Sequence, residues 1–341
     1  MNNMNLTVEL LKVLGSPFEV FTVPIGQSKV VELSKVSEKN RILFFYLHKI
    51  DKKNLGKLAS LYKKEQRRYI KTNDAIAQVS RILKNANTEH AFFKTIRPYK
   101  STTVDLDIIV FGERKDYMKS VKAMERGGYK LVARGPNSIT FWDQEANIGI
   151  DLYEQVAVSF ITYIDKGKLR HYVRDIILPN GKYVRTLKPE ADLATIIAHS
   201  IVKEQMYTLS EYYTFIHYLK QMTIKDFLSI IRQNNITYAA RTHATITALL
   251  HKAAHQTIPE KLRQMLDVVG EDNFEKGRII KNNFETPHKY HLITVAKSLT
   301  EIAKGKETRK SIPIQLARML DPNISKDFFK KLIDHAFRKA Y

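Results

Sequence analysis

Cysteine is absent from the 341-residue chain. That excludes disulfides, Cys-ligated zinc, iron–sulfur clusters and cysteine nucleophiles. Long apolar runs are absent too: the densest, Ile42 to Leu47, is far too short to span a bilayer. The opening residues, MNNMNLTVELLK, lack a basic stretch followed by an apolar one, so no signal peptide is expected and a cytoplasmic location with no membrane partner is. No fixed-period repeat and no low-complexity tract is visible. The chain carries no G-x-x-x-x-G-K-[ST], no G-x-G-x-x-G after a strand, no H-E-x-x-H and no G-x-S-x-G. These absences argue against P-loop ATPases, Rossmann dehydrogenases, zincins and α/β-hydrolases.

Acidic residues are also scarce relative to basic ones. Lys plus Arg is 56 against 35 Asp plus Glu, a net charge of +21. Such an excess points to a polyanionic partner, nucleic acid before acidic membrane, although a basic or thermophilic proteome gives the same bias. Apolar residues make up 44% and charged residues 27%, a globular mixture that rules out disorder as the dominant state.

Pattern divides the chain into three regions. Region 1–88 is mixed and helical. LTVELLKVLG forms a helix closed by Gly15, FEVFTVPI and KVVELSKV look strand-like, and SEKNRILFFYLHKI suits a helix capped by Ser37. A long helix, or two in succession, follows from LGKLASLYKKEQRRYIK. Region 89–187 changes period. HAFFKTI, VDLDIIVFG, YKLVAR, SITFWD and IGIDLYEQV read as strands, ERKDYMKSVKAMERGG as a helix stopped by glycines, and YVRDII with KYVRTL as a hairpin about LPNG. Region 188–341 is helical, from a long segment begun by Pro189 to ISKDFFKKLIDHAFRKAY. The expected class is α+β: a mixed-sheet core with a helical N-terminal extension and a C-terminal helical bundle.

The most informative residues are Asp105 and Asp107. Two apart in a strand, they share a face while Leu106 points away. Two carboxylates this close repel unless a cation lies between them, and a hard divalent ion, Mg²⁺ or Mn²⁺, takes oxygen ligands. The pair begins its strand, with polar KSTT before it and IIVF after it. Haloacid-dehalogenase-like phosphatases and many sugar-nucleotide transferases place such a pair at the strand end, which argues against both. Asp151, flanked by Ile150 and Leu152, is a third acid in a strand where an unpaired charge is costly. Three carboxylates from two strands can hold two ions and serve in-line phosphoryl or nucleotidyl displacement. The alternative is solvent-facing acids on an edge strand.

Strand, DLDIIVFG, helix, GGYKL and a strand with IGIDLYE together resemble the nucleotidyltransferase superfamily of the DNA polymerase β type, most nearly its uncharacterised archaeal branch, over about 89–215. The resemblance implies a nucleotidyltransferase-type core, an NTP substrate, metal binding by Asp105, Asp107 and Asp151, and Asp151 assisting the attacking hydroxyl. Where the family usually carries Gly-Gly or Gly-Ser before the acidic pair, this chain reads FFKTIRPYKSTTVDLD. Lys94, Thr95 and Arg97 stand there, offering cations and a hydroxyl to phosphate in place of glycine amides. Asp192, His199 and Lys203 are spaced to share a helical face. By the resemblance Lys203 touches a phosphate and His199 orients it or the acceptor; the plainer reading is a half-buried helix with Asp192 favouring the dipole. Tyr207, Tyr212, Tyr213 and Tyr218 can stack on a base but more often pack helices together.

On the long N-terminal helix Lys63, Lys64, Arg67, Arg68 and Lys71 recur at spacings that place them on one face, fit for phosphate-backbone contact or simply solvated. The resulting expectation is a metal-dependent nucleotidyltransferase moving NMP from an NTP to a hydroxyl on RNA, such as a tRNA-like acceptor. Two alternatives stand beside it. One is a same-fold enzyme acting on a protein or small-molecule hydroxyl. The other is a non-catalytic RNA-binding protein.

Overall fold

The computed structural model describes residues 5–19, 26, 28–321 and 326. In chain order the helices before the sheet are α1 (Leu6–Leu14), α2 (Val30–Lys39), α3 (Leu43–Lys49), α4 (Lys52–Leu55) and α5 (Ala59–Asn85). Then come strands β1 (His90–Phe92) and β2 (Asp105–Val110), helix α6 (Arg114–Arg126), and strands β3 (Lys130–Arg134), β4 (Ser138–Asp143) and β5 (Ile148–Tyr153). A small hairpin, β6 (Val156–Val158) and β7 (Ile161–Ile164), leads through α7 (Lys166–Leu169) to β8 (Val173–Ile177) and β9 (Tyr183–Leu187). Helix α8 (Pro189–His199) runs into a π-helical turn, Ser200–Glu204, and strand β10 (Met206–Tyr207). Helices α9 (Leu209–Gln221), α10 (Ile224–Gln233), α11 (Thr237–His255), α12 (Glu260–Val269) and α13 (Asn273–Lys281) follow. Strand β11 (His288–Lys289) then precedes α14 (Leu292–Ile302) and α15 (Lys306–Met319).

Local sequence sets the element ends. Asn5 caps α1 by accepting from the Thr7 N–H at 2.7 Å, and Gly15 stops it at φ +70°. Gly112 sits at φ +110°, where a Cβ would meet Asp116 Oδ2 at 2.6 Å; that room admits the reciprocal Glu113–Asp116 cap of α6. Pro189 opens α8 at the first turn.

Seven strands form one mixed sheet in the order β3-β4-β5-β2-β1-β9-β8. β2 lies parallel to β5 and antiparallel to β1. Alternation gives the sheet two faces. Leu106, Ile108 and Val110 turn with Ile150 and Leu152 into a core closed by α5 and α6. Ile109 and Tyr153 face the other way, into a larger core that joins α1–α3 to α8–α14. The fold is therefore α+β, a mixed sheet with helices before and after it. The N-terminal helices do not stand apart. Phe45 packs on Tyr213 with ring centroids 4.9 Å apart, the Tyr213 hydroxyl donates to Gly15 O, and Thr7 Oγ1 accepts from the Thr286 N–H at 3.1 Å.

Several expectations need correction. KVVELSKV is helix α2: its buried positions are Val30, Leu33, Ser34 and Ser37, a helical stripe half of which is serine. Ser37 is inside that helix, its hydroxyl donating to Ser34 O, and Ile42 precedes α3. The long segment from Pro189 is interrupted at 200–207, where Gln205 takes φ +51° and Thr208 caps α9 with Glu211. FEVFTVPI from residue 20 onward and the basic segment 327–341 lie outside the described residues.

Within the helical half Glu275 is fully buried. It accepts from His288 Nε2 at 2.8 Å, Arg278 Nη1 at 2.8 Å, Thr294 Oγ1 at 2.6 Å and the His291 N–H at 2.9 Å. Burial alone would raise its carboxyl pKa, but these donors outweigh burial and hold it at about 2. Glu275→Ala strands the buried His288, deprives the half-buried Arg278 of its carboxylate and should cost about 3–5 kcal/mol, read from denaturant unfolding. Because the folded pKa lies below the ordinary 4.5, the stabilisation is complete above that pH. It should drain away as pH falls from about 4.5 towards 2, a slope the Ala variant lacks.

Candidate active site

Asp105 is the first residue of β2 and Asp107 the third, on the sheet face opposite Leu106. In the parallel register Asp107 sits directly beside Asp151 of β5. One oxygen from each of the three carboxylates lies within 4.8 Å of the others. Asp107 is buried and the other two are half-buried. The set is all oxygen, hard and anionic, which fits a divalent ion such as Mg²⁺ or Mn²⁺. Like-charge repulsion shows in the groups themselves. Asp107, then burial, pushes the Asp105 carboxyl up to about 7. Burial raises Asp151, whose Oδ1 accepts from Thr140 Oγ1.

Asp107 behaves oppositely. Burial opposes its charge, but the ammonium groups of Lys94 and Lys203 beside it outweigh that and hold its carboxyl below the usual range. Lys94 Nζ is 3.3 Å from Asp107 Oδ1, with both side chains almost wholly buried. The same ammonium reaches His199 Nδ1 at 3.2 Å and lies 4.6 Å and 5.3 Å from the centres of the Phe93 and Tyr153 rings. Burial pulls the Lys94 pKa down, and Asp107 opposes that.

Lys94 stands where the family's glycine turn was expected, and its backbone has φ +57°, the left-handed region that glycine favours. An external clamp holds it: the Lys94 N–H donates to Asp192 Oδ1 at 2.7 Å, and the Tyr218 hydroxyl holds Asp192 Oδ2 at 2.8 Å. Asp192 thus fixes a strained peptide at the site's edge.

His199 is half-buried, and burial first, then Lys94, lowers its pKa to about 4. A neutral ring protonated at Nε2 fits its surroundings. It donates towards Glu204 Oε1, 3.5 Å away, and accepts at Nδ1, where Lys94 Nζ and the Tyr163 hydroxyl at 3.1 Å both lie. Glu204 in turn binds Arg41 Nη2 at 2.8 Å, so a chain of contacts runs from the N-terminal helices to Asp107.

Lys94 and His199 therefore meet the acids, and exposed Lys203 is close enough to favour their ionised forms. Thr95 and Arg97 do not reach them in the same way. The buried Thr95 hydroxyl accepts from the Asp107 N–H at 2.8 Å and donates to Phe93 O, fixing the strand beneath the acids. Arg97 reaches Thr214 on α9. Tyr207, Tyr212, Tyr213 and Tyr218 are all buried core residues, and their rings offer no surface for a base. On α5, Lys63, Lys64 and Arg67 are exposed. Arg68 donates to Thr103 O at 2.7 Å and Lys71 to Glu145 O at 3.0 Å, so these two tie down the segments entering β2 and β5. Sequence reasoning missed Tyr163, Tyr153, Thr140 and Glu204. Glu204 follows His199 by five, a spacing that faces its partner only in the π-helical turn.

The two strand acids should answer substitution differently in metal-free protein. Asp105→Asn relieves repulsion and should stabilise the fold by about 1–3 kcal/mol above pH 7. The folded Asp105 pKa of about 7 exceeds its ordinary 3.8, so wild-type stability should fall as pH rises from about 4 to 7, and the variant should flatten that fall. Asp107→Asn leaves the Lys94 ammonium buried without its carboxylate and should destabilise by about 3–5 kcal/mol. Thermal denaturation in a chelator distinguishes them; equal effects would show that Lys94 does not depend on Asp107.

No protein-family model and no curated protein matches the chain. Several solved structures resemble it, among them these two. An antigenic nucleotidyltransferase-like protein from Paracoccidioides brasiliensis is 11% identical, covers 66% of this chain and 96% of its own, and gives a TM-score of 0.30. A STING-associated CdnE c-di-GMP synthase from Capnocytophaga granulosa is 12% identical, covers 91% of this chain and 98% of its own, and also scores 0.30. At that level the likeness carries no argument about chemistry, which rests on the site's own geometry.

Proposed function

We propose that the protein is a metal-dependent nucleotidyltransferase that moves a nucleoside monophosphate from an NTP to a hydroxyl, with RNA as the acceptor. The observation that carries this reading is the convergence of Asp105, Asp107 and Asp151 from two adjacent parallel strands, with ligand atoms within 4.8 Å. These residues would hold a Mg²⁺ or Mn²⁺ ion, which when bound supplies Lewis-acid stabilisation of charge on the transferring phosphoryl group. The acceptor oxygen forms the new bond to the α-phosphorus, the bond to the β-phosphate oxygen breaks, and pyrophosphate leaves. Asp151, its carboxyl raised by burial, would take the hydroxyl proton. Lys94 and Lys203 bring positive charge to the phosphates, and neutral His199 orients Lys94. RNA is favoured by the net charge of +21 and by exposed Lys63, Lys64 and Arg67.

Incubation with each labelled NTP, Mg²⁺ or Mn²⁺ and total RNA should label RNA. Asp105→Ala and Asp107→Ala should bring transfer to background, and wild-type transfer by either variant would sink the assignment. Lys94→Ala should weaken NTP binding about tenfold, because the attraction of a buried ammonium beside the acids is lost and not a direct contact with phosphate. Label appearing on a small molecule or a protein, with RNA unlabelled, would replace the acceptor and keep the chemistry.

Lys63, Lys64 and Arg67 should meet backbone phosphates. Reversing all three to Glu should weaken RNA binding with little sequence preference. Each lost contact should flatten the log–log salt slope by about 0.7 for a single strand. Arg68 is unsuitable for this test because its guanidinium holds Thr103. An affinity indifferent to salt and to the reversals would remove α5 as the binding face.

A further inference from the structure

The acids of the site do not stand alone, because a lysine already sits among them. We propose that Lys94 permanently supplies the charge of one of the two cations that a carboxylate triad of this kind would otherwise gather, so that the site holds no close metal pair. This rests on the reading of the triad as a metal-dependent transferase site.

Three features of the geometry carry it. The first is the use of Asp107. A carboxylate shared between two ions offers an oxygen to each, but Asp107 Oδ1 faces Lys94 Nζ at 3.3 Å. What remains of Asp107, with Asp105 and Asp151, serves one ion.

The second is charge. Three carboxylates and one ammonium leave two negative charges, which a single divalent ion neutralises. Before any nucleotide binds, a second ion would leave the half-buried site with two excess positive charges, next to Lys203, which already acts on all three acids.

The third is that Lys94 is held at both ends. Its backbone is fixed by Asp192 through a 2.7 Å hydrogen bond at φ +57°. Its head is held by His199, by Asp107 and by the faces of Phe93 and Tyr153, with the side chain only 5% exposed. A surface lysine would swing aside for an entering cation at little cost. Here the swing breaks a buried ion pair and leaves His199 Nδ1 with one donor fewer, the Tyr163 hydroxyl alone.

The test is electron paramagnetic resonance of the whole chain with saturating Mn²⁺ and an α,β-methylene NTP, which binds without reacting. Two Mn²⁺ ions roughly 3.5–4 Å apart, the spacing of two-metal sites, give a spin-coupled spectrum; solitary ions do not. Wild-type protein should show no coupled pair. Lys94→Met, which keeps the stem and removes the charge, should gain the pair and about one more bound Mn²⁺ per chain. Lys94→Gln, which keeps a polar head for His199, is the second variant if Lys94→Met does not fold. A coupled pair in the wild type overturns the proposal and leaves the metal-dependent reading standing. Variants that fold and gain no pair overturn the role given to Lys94. Wild type that binds no more Mn²⁺ than Asp107→Asn overturns both readings together.

Discussion

Mutual repulsion among three carboxylates is the constraint around which this part of the molecule is arranged. Placing Asp105, Asp107 and Asp151 on one sheet face stores unfavourable energy that neighbours must answer. The answers are the fixed ammonium of Lys94, the Thr140 hydroxyl on Asp151 and the upward drift of Asp105 towards its protonated form. Those answers need supports of their own. Lys94 takes a left-handed backbone that Asp192 must hold, and Asp192 needs Tyr218. A requirement of a few atoms on β2 and β5 thereby fixes residues on α8 and α9.

The three acids were legible because a strand has a two-residue period and an acid within an apolar strand is conspicuous. Legible for similar reasons were α1, α6, the β8–β9 hairpin and the α+β class, all marked by glycine, proline or alternation. The serine-containing stripe of α2 was not, since the Ser34 and Ser37 hydroxyls donate to the carbonyls of Val31 and Ser34, bonds that no hydrophobicity pattern records. The break after α8 was announced by Thr208 and Glu211, a capping pair that lay unread within an apolar run.

At the site, spacing could mark Lys94 as out of place in a strand but could not say where its ammonium points. That depends on Asp192, 98 residues later. Glu204 was invisible for a different reason: ordinary helical spacing does not bring a residue five positions on to His199, and the π-helical turn does. Arg68 and Lys71 show the converse. Their spacing suggested an uninterrupted basic face, but two of its five members spend their donors on the carbonyls of Thr103 and Glu145.

The core that joins α1–α3 to α8–α14 has a consequence for how the chain comes to be made. Helix α1 packs on α11, and Phe45 of α3 packs on Tyr213 of α9, partners more than 150 residues further along the chain. Thr7 waits still longer for Thr286. Contacts of such separation close late and at an entropic cost that grows with the intervening length. The contacts of α1 with α2 and of α3 with α5 are local and can form early, whereas the faces turned to α9 and α11 wait for those helices. Removing α1 would therefore uncover a face of α11 that lies far along the chain from it.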